Sequence, residues 1–162
     1  MPPHLGLIVE IQHGPEPFWL PLPVAPWPER VAISAECIDD EVALVIFEWA
    51  KYNQRDSPSP LTPQELTDAQ NLVLPGGVEA RDDQRQIGPS CCSGLECWIE
   101  WTYLIQNGTT PWMGHDPTPT VQSVDGKGYL IWPDDDLSGE CIRFDSSVRL
   151  KSEQAQLVSG GW

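Results

Sequence analysis

Three thiols fall within seven residues, Cys91, Cys92 and Cys97, and a histidine–aspartate pair, His115 and Asp116, follows downstream. Thiolates and an imidazole suit zinc, with His115 or Cys141 as the fourth ligand. The spacing is not a Cys-x-x-Cys pair, however, and Cys97 falls on the apolar side of an expected helix, where a thiol is inert packing. The same residues are the parts of a cysteine enzyme: Cys91 or Cys92 as nucleophile at a helix N-terminus, His115 as base and Asp116 as its orienter. Nothing in the spacing fixes that constellation, and His115-Asp116-Pro117 also reads as a turn in which Asp116 bonds nearby backbone. Five cysteines, odd in number and two of them adjacent, make no secreted disulfide framework. The expectation is reduced thiols, no bound metal, no cofactor and no catalytic residue. A glycine-rich phosphate loop, a dinucleotide fingerprint and a Gly-x-Ser-x-Gly elbow are all missing from the sequence.

Carboxylates are the other chemistry. The chain carries 24 acidic and 9 basic residues, a net charge of −15 over 162 residues. The acids gather in short clusters: Glu36, Asp39, Asp40 and Glu41; Glu79, Asp82 and Asp83; Asp134, Asp135, Asp136 and Glu140. Asp134-Asp135-Asp136 lacks the spaced ligands and glycine of a calcium loop and reads as a solvated acidic turn. Such a surface repels nucleic acid and anionic membrane and attracts basic proteins at long range; it serves solubility as well.

The segment Cys91-Cys92-Ser93-Gly94-Leu95-Glu96-Cys97-Trp98-Ile99-Glu100-Trp101, followed by Pro111-Trp112-Met113-Gly114-His115-Asp116-Pro117, has a recognisable cast. Over Ile87 to Pro119, about a fifth of the chain, it resembles small acidic bacterial proteins of immunity-protein type. The resemblance implies a bacterial, cytoplasmic protein and brings no catalytic residue with it. Together with the charge, it leads to an expected function: an inhibitor that neutralises a basic toxin by occupying its cationic site. Asp39, Asp40, Glu41, Asp134, Asp135 and Asp136 would speed encounter, and Trp27 and Trp112 would be the aromatic anchors. The alternatives are a Cys91- or Cys92-dependent enzyme using His115, a nucleic-acid-mimicking inhibitor of phage type, and a scaffold whose charge serves solubility alone.

The elements that must position these residues indicate one α+β domain, mainly antiparallel sheet with a single principal helix. Leu5 to Gln12 reads as a first strand. Residues 14–30, with six prolines from Pro15 to Pro28, form an extended arm rather than a regular element. Val31 to Glu36 and Glu41 to Tyr52 read as two strands joined by an acidic turn at Cys37 to Asp40, the second strand central because Val42 to Phe47 is continuously apolar. A loop over 53–63 leads to a short helix at Pro63 to Gln70, capped by Thr62 or Thr67. Asn71 to Ala80 is ambiguous. Ser93 and Glu96 fit a capping box that starts the longest helix, about 93–106, ending at Asn107-Gly108 with Trp98 and Ile99 buried. Thr120 to Val124 and Tyr129 to Trp132 make a hairpin around Asp125-Gly126. Glu140 to Phe144 is a strand, and 152–159 a short closing helix. The N-terminus has no basic stretch followed by an apolar one, as a signal peptide would, and no run is long enough to span a membrane.

Overall fold

The computed structural model describes residues 2–14, 16–54, 59–124 and 127–145. The expected Asp125-Gly126 turn and the closing helix at 152–159 lie outside the described residues. Two antiparallel sheets and a few helices make the α+β architecture that the sequence indicates. One sheet has the order β2-β1-β3-β4, built from β1 (His4–Glu10), β2 (Arg30–Ile33), β3 (Gly76–Arg81) and β4 (Gln86–Ile87). The other is the meander β5 (Thr120–Ser123), β6 (Gly128–Trp132) and β7 (Ile142–Asp145). The expected hairpin is present, with Val121 opposite Ile131.

The register explains the core. Leu7 pairs with Val78 and Leu5 with Ala80, so the four side chains share one face of the first sheet. That face joins Val121, Ile131, Ile142 and Phe144 of the second sheet, with Trp101, Leu104 and Met113 completing the cluster. In β7 the inward and outward residues alternate, Ile142 and Phe144 buried and Arg143 and Asp145 exposed, whereas β3 is buried along almost its whole length.

The segment read as a central strand at Glu41 to Tyr52 is instead α1 (Asp39–Tyr52), the longest helix among the described residues. Its buried residues Ala43, Leu44, Phe47, Ala50 and Lys51 recur at helical spacing, and a run of six apolar residues does not by itself distinguish a buried strand from a helix. Asp39 and Asp40, read as the end of a turn, and Glu41, read as the start of a strand, form its first turn, where they complement the macrodipole. Glu41 accepts a hydrogen bond from the Ile38 N–H at 3.1 Å. The Pro-rich arm folds onto this helix: Phe18 and Trp27 stack edge-on against Phe47, at ring centroid distances of 5.1 and 5.4 Å. Glu48, fully buried, accepts from the backbone N–H groups of Gln12 and His13 and contacts the His13 ring at 2.9 Å, so it ties the end of β1 to α1.

The short helix is present as α2 (Pro63–Asp68), capped by Thr62 with Glu65 closing the box. The ambiguous 71–80 stretch holds β3, whose Gly76 sits against β1 so closely that a Cβ would come within 2.2 Å of the Ile8 carbonyl. The interrupting glycines were thus part of the strand. The principal helix expected from Ser93 is shorter: α3 runs Trp98–Asn107 after one 3-10 turn at Leu95–Cys97, and Gly108 ends it at φ +80° as anticipated. Ser93 does not cap it. Gly94 pairs with Pro75, and the Leu95 N–H donates to Leu74 at 2.7 Å, which holds the chain extended through the first expected turn. The buried side of α3 is the line Trp101–Leu104 rather than Ile99, which is 42% exposed; Trp98 is half-buried.

Candidate functional site

The β3–β4 hairpin delivers the chain through Gly88-Pro89 to Ser90, and Ser90 docks the loop that follows α3. The Ser90 N–H donates to the Met113 carbonyl at 2.8 Å, and its hydroxyl donates to that of Pro117 at 2.5 Å while lying 3.1 Å from that of His115. Cys91 and His115 then form an isolated antiparallel bridge, with the His115 N–H on the Cys91 carbonyl at 3.1 Å. Directly paired residues carry neighbouring side chains. Gly114 makes the approach feasible: at φ +98°, a Cβ there would lie 2.6 Å from the carbonyls of both Ser90 and Cys91.

Two residues flanking the bridge adopt left-handed backbone, Cys92 at φ +68° and Asp116 at φ +57°. The first turns the Cys92 thiol to within 3.4 Å of Cys91 Sγ. One ligand atom each from Cys91, Cys92 and His115 lies within 4.8 Å of the others. The Asp116 carboxylate accepts a hydrogen bond from or bridges to His115 Nδ1 at 3.0 Å. Asp116 therefore bonds the imidazole rather than the local backbone expected for a turn. Cys91 and Cys92 are exposed and His115 half-buried, with the exposed Trp112 ring 6.3 Å away.

Of the residues weighed for zinc in the sequence, the fold brings Cys91, Cys92 and His115 together. Among the described residues, Cys97 and Cys141 are not part of the group. Nor do Cys91 and Cys92 sit at a helix N-terminus, because α3 begins at Trp98 with Cys97 at its cap position. The Cys91 thiol is pushed above its ordinary range, first by its contact with Cys92, then by desolvation, and last by the negative charge of Asp116. A groove of about 380 Å³ opens beside Cys91, lined by Glu10, Arg30, Gln86, Asp116 and Pro133 among others. The Arg30 guanidinium in that groove is already engaged by Glu10 and Glu79, at 3.4 and 3.3 Å.

The expected acidic contacts occupy two other places. Asp39 and Asp40 are exposed on the first turn of α1. They rim a trough of about 410 Å³ whose apolar wall is Leu20, Pro21, Val42, Ala43 and Ile46. Ile38 and Val42 beside it are 62% and 44% exposed. Glu41 is half-buried and engaged in capping. In the second cluster, Asp134 is half-buried and accepts from the Thr118 and Asp135 N–H groups, while Asp136 accepts from Ser138 and is held below the usual carboxylate range by that contact. Asp135 is exposed. Of the two expected aromatic anchors, Trp112 is exposed, but Trp27 is half-buried on Phe47 with its indole N–H donated to Pro23. Sequence reasoning passed over Trp19, which is 42% exposed and fastened by its indole N–H to the Leu61 carbonyl. Its place in the proline-rich arm was the signal.

No protein-family model matches the chain, and neither a curated protein nor a solved structure matches it. Among the described residues, no helix is long and apolar enough to cross a membrane.

Proposed function

We propose that this chain is an acidic inhibitor of immunity type, which neutralises a basic protein, a cognate toxin, by occupying its cationic site. The observation that carries the reading is the trough at the start of α1, where exposed Asp39 and Asp40 border an open apolar wall. Carboxylates on the rim steer a basic partner, and the apolar floor supplies contact area that slows its release. An apolar floor also favours a protein surface over mimicry of nucleic acid, which needs acids spaced like phosphates. The resemblance at residues 87–119 supports a bacterial setting, and the odd cysteine count with two adjacent residues suits a reducing cytoplasm.

The rival reading, a cysteine enzyme, draws on the meeting of Cys91, Cys92, His115 and Asp116 beside a groove. Against it, the Cys91 thiol is held protonated by its neighbours, and no helix terminus activates it. Capture from a lysate of the native host tests the proposal. The full chain should retain a basic protein, Asp39→Asn with Asp40→Asn should lose most of it, and Cys91→Ser or Cys92→Ser should keep it. Equal capture by the double acidic variant, or loss on changing a thiol while the fold persists, would overturn it.

A further inference from the structure

We infer that Cys91, Cys92 and His115 form a binding site for a single thiophilic divalent cation of the zinc type. Two sulfurs and an imidazole nitrogen are a donor set suited to zinc, cadmium and cobalt and poorly suited to magnesium or calcium. Their ligand atoms lie within 4.8 Å of one another. Around a tetrahedral ion bound at about 2.3 Å to sulfur and 2.0 Å to nitrogen, ligand atoms sit roughly 3.3–3.8 Å apart. For this donor set that is about 3.8 Å between the two sulfurs and about 3.5 Å from sulfur to nitrogen, so the sulfurs, now 3.4 Å apart, open by a few tenths of an ångström and the imidazole closes in, both by rotation of exposed side chains.

The adjacency of the two cysteines gives no spacing motif, so the sequence supplies the donor types but not their grouping. The site is assembled by the Cys91–His115 bridge and by the left-handed turn at Cys92, which bring both thiols to one side. The backbone is held from beneath by Ser90 and by the close fit of Gly114. Asp116 fastens the ring through Nδ1, the carboxylate–histidine pairing that steadies metal ligands. On binding, each thiol releases its proton to solvent and its sulfur takes the ion, so a divalent cation is neutralised by two thiolates. The fourth position is left to water or to an exogenous ligand, because the site faces solvent.

The test uses the full-length, metal-free chain kept reduced with a phosphine, titrated with Co²⁺ and then displaced by Zn²⁺. One equivalent of Co²⁺ should bind, with a sulfur-to-cobalt charge-transfer band whose intensity corresponds to two thiolates. The band should fall by about half or vanish in Cys91→Ser and in Cys92→Ser. His115→Ala should weaken binding at least about 10-fold, by analogy with the loss seen when even a supporting group is removed. Cys37→Ser, Cys97→Ser and Cys141→Ser should bind as the parent does. Circular dichroism confirms that each variant is folded, and protection of Cys91 and Cys92 from alkylation by stoichiometric Zn²⁺ gives a second readout on the unaltered protein. Absence of a charge-transfer band, absence of protection, or an equal loss in Cys97→Ser would overturn the inference. The acidic trough plays no part in this outcome, so the two proposals stand or fall separately.

Discussion

Asp82 shows how a single side chain fixes the β3–β4 turn. It closes the β3–β4 turn by accepting from the N–H groups of Gln84 and Arg85 and from the Arg85 guanidinium. These contacts, the Arg85 hydrogen bond first, hold its carboxyl below the ordinary aspartate value. A group whose folded pKa is depressed stabilises the fold above its unfolded value, about 4, and loses that contribution as pH falls through the lower folded value. Asp82→Asn should therefore lower Tm at neutral pH, and thermal melts should show the difference from the parent shrinking below about pH 4. A difference that persists undiminished in acid would contradict this. Gly114→Ala is the second residue-scale prediction. The added Cβ meets two carbonyls at 2.6 Å from a positive φ, so the Cys91–His115 bridge should part. Faster amide exchange at His115, with the rest of the core still protected, is the expected result.

Between elements, burial decides which side chains carry stability. Trp101, 2% exposed, packs α3 between the two sheets, so Trp101→Ala should cost about 3–5 kcal/mol in denaturant unfolding. Ile99→Ala, on the solvent side of the same helix, should change stability by no more than about 0.5 kcal/mol. The opposite order would mean that α3 is rotated. Glu48 makes a comparable joint between β1 and α1. Glu48→Ala strands two backbone donors and takes away the carboxylate that meets the His13 ring, so a loss on the order of 3 kcal/mol is expected. Much of this level was legible beforehand: β1, β2, the capped α2, the hairpin β5–β6 and the end of α3 at Gly108 all follow from local rules. Helix α1 did not, because six consecutive apolar residues satisfy either period. What settled it was burial, which recurs from Ala43 to Ala50 at helical intervals and leaves Asp39 and Asp40 at a helix start.

For the molecule as a whole, the net charge of −15 sets a field that reaches beyond any one contact. Association with a basic partner should be fast at low salt and slow markedly as ionic strength rises, since fields are screened beyond about 8 Å at physiological salt. Removing Asp39 and Asp40 should act on the on-rate, and Val42→Ala, on the trough wall, mainly on the off-rate. Stopped-flow or surface-binding kinetics would read both, and an association rate indifferent to salt would defeat the electrostatic account. Composition determined this charge and the identity of the reactive side chains, and the order of local patterns along the chain determined the α+β class, because those are properties of residue types and of patterns a few positions long. Tertiary structure decided which of them meet. His115 stands 24 positions from Cys91 in the chain, and only the strand-like bridge between their loops makes them neighbours. In the same way Trp27, a plausible anchor by type, was withdrawn into the packing around Phe47, while Asp39 and Asp40 gained an apolar trough beside them. Pairings of that range depend on the closure of loops and the packing of faces, which no local spacing records.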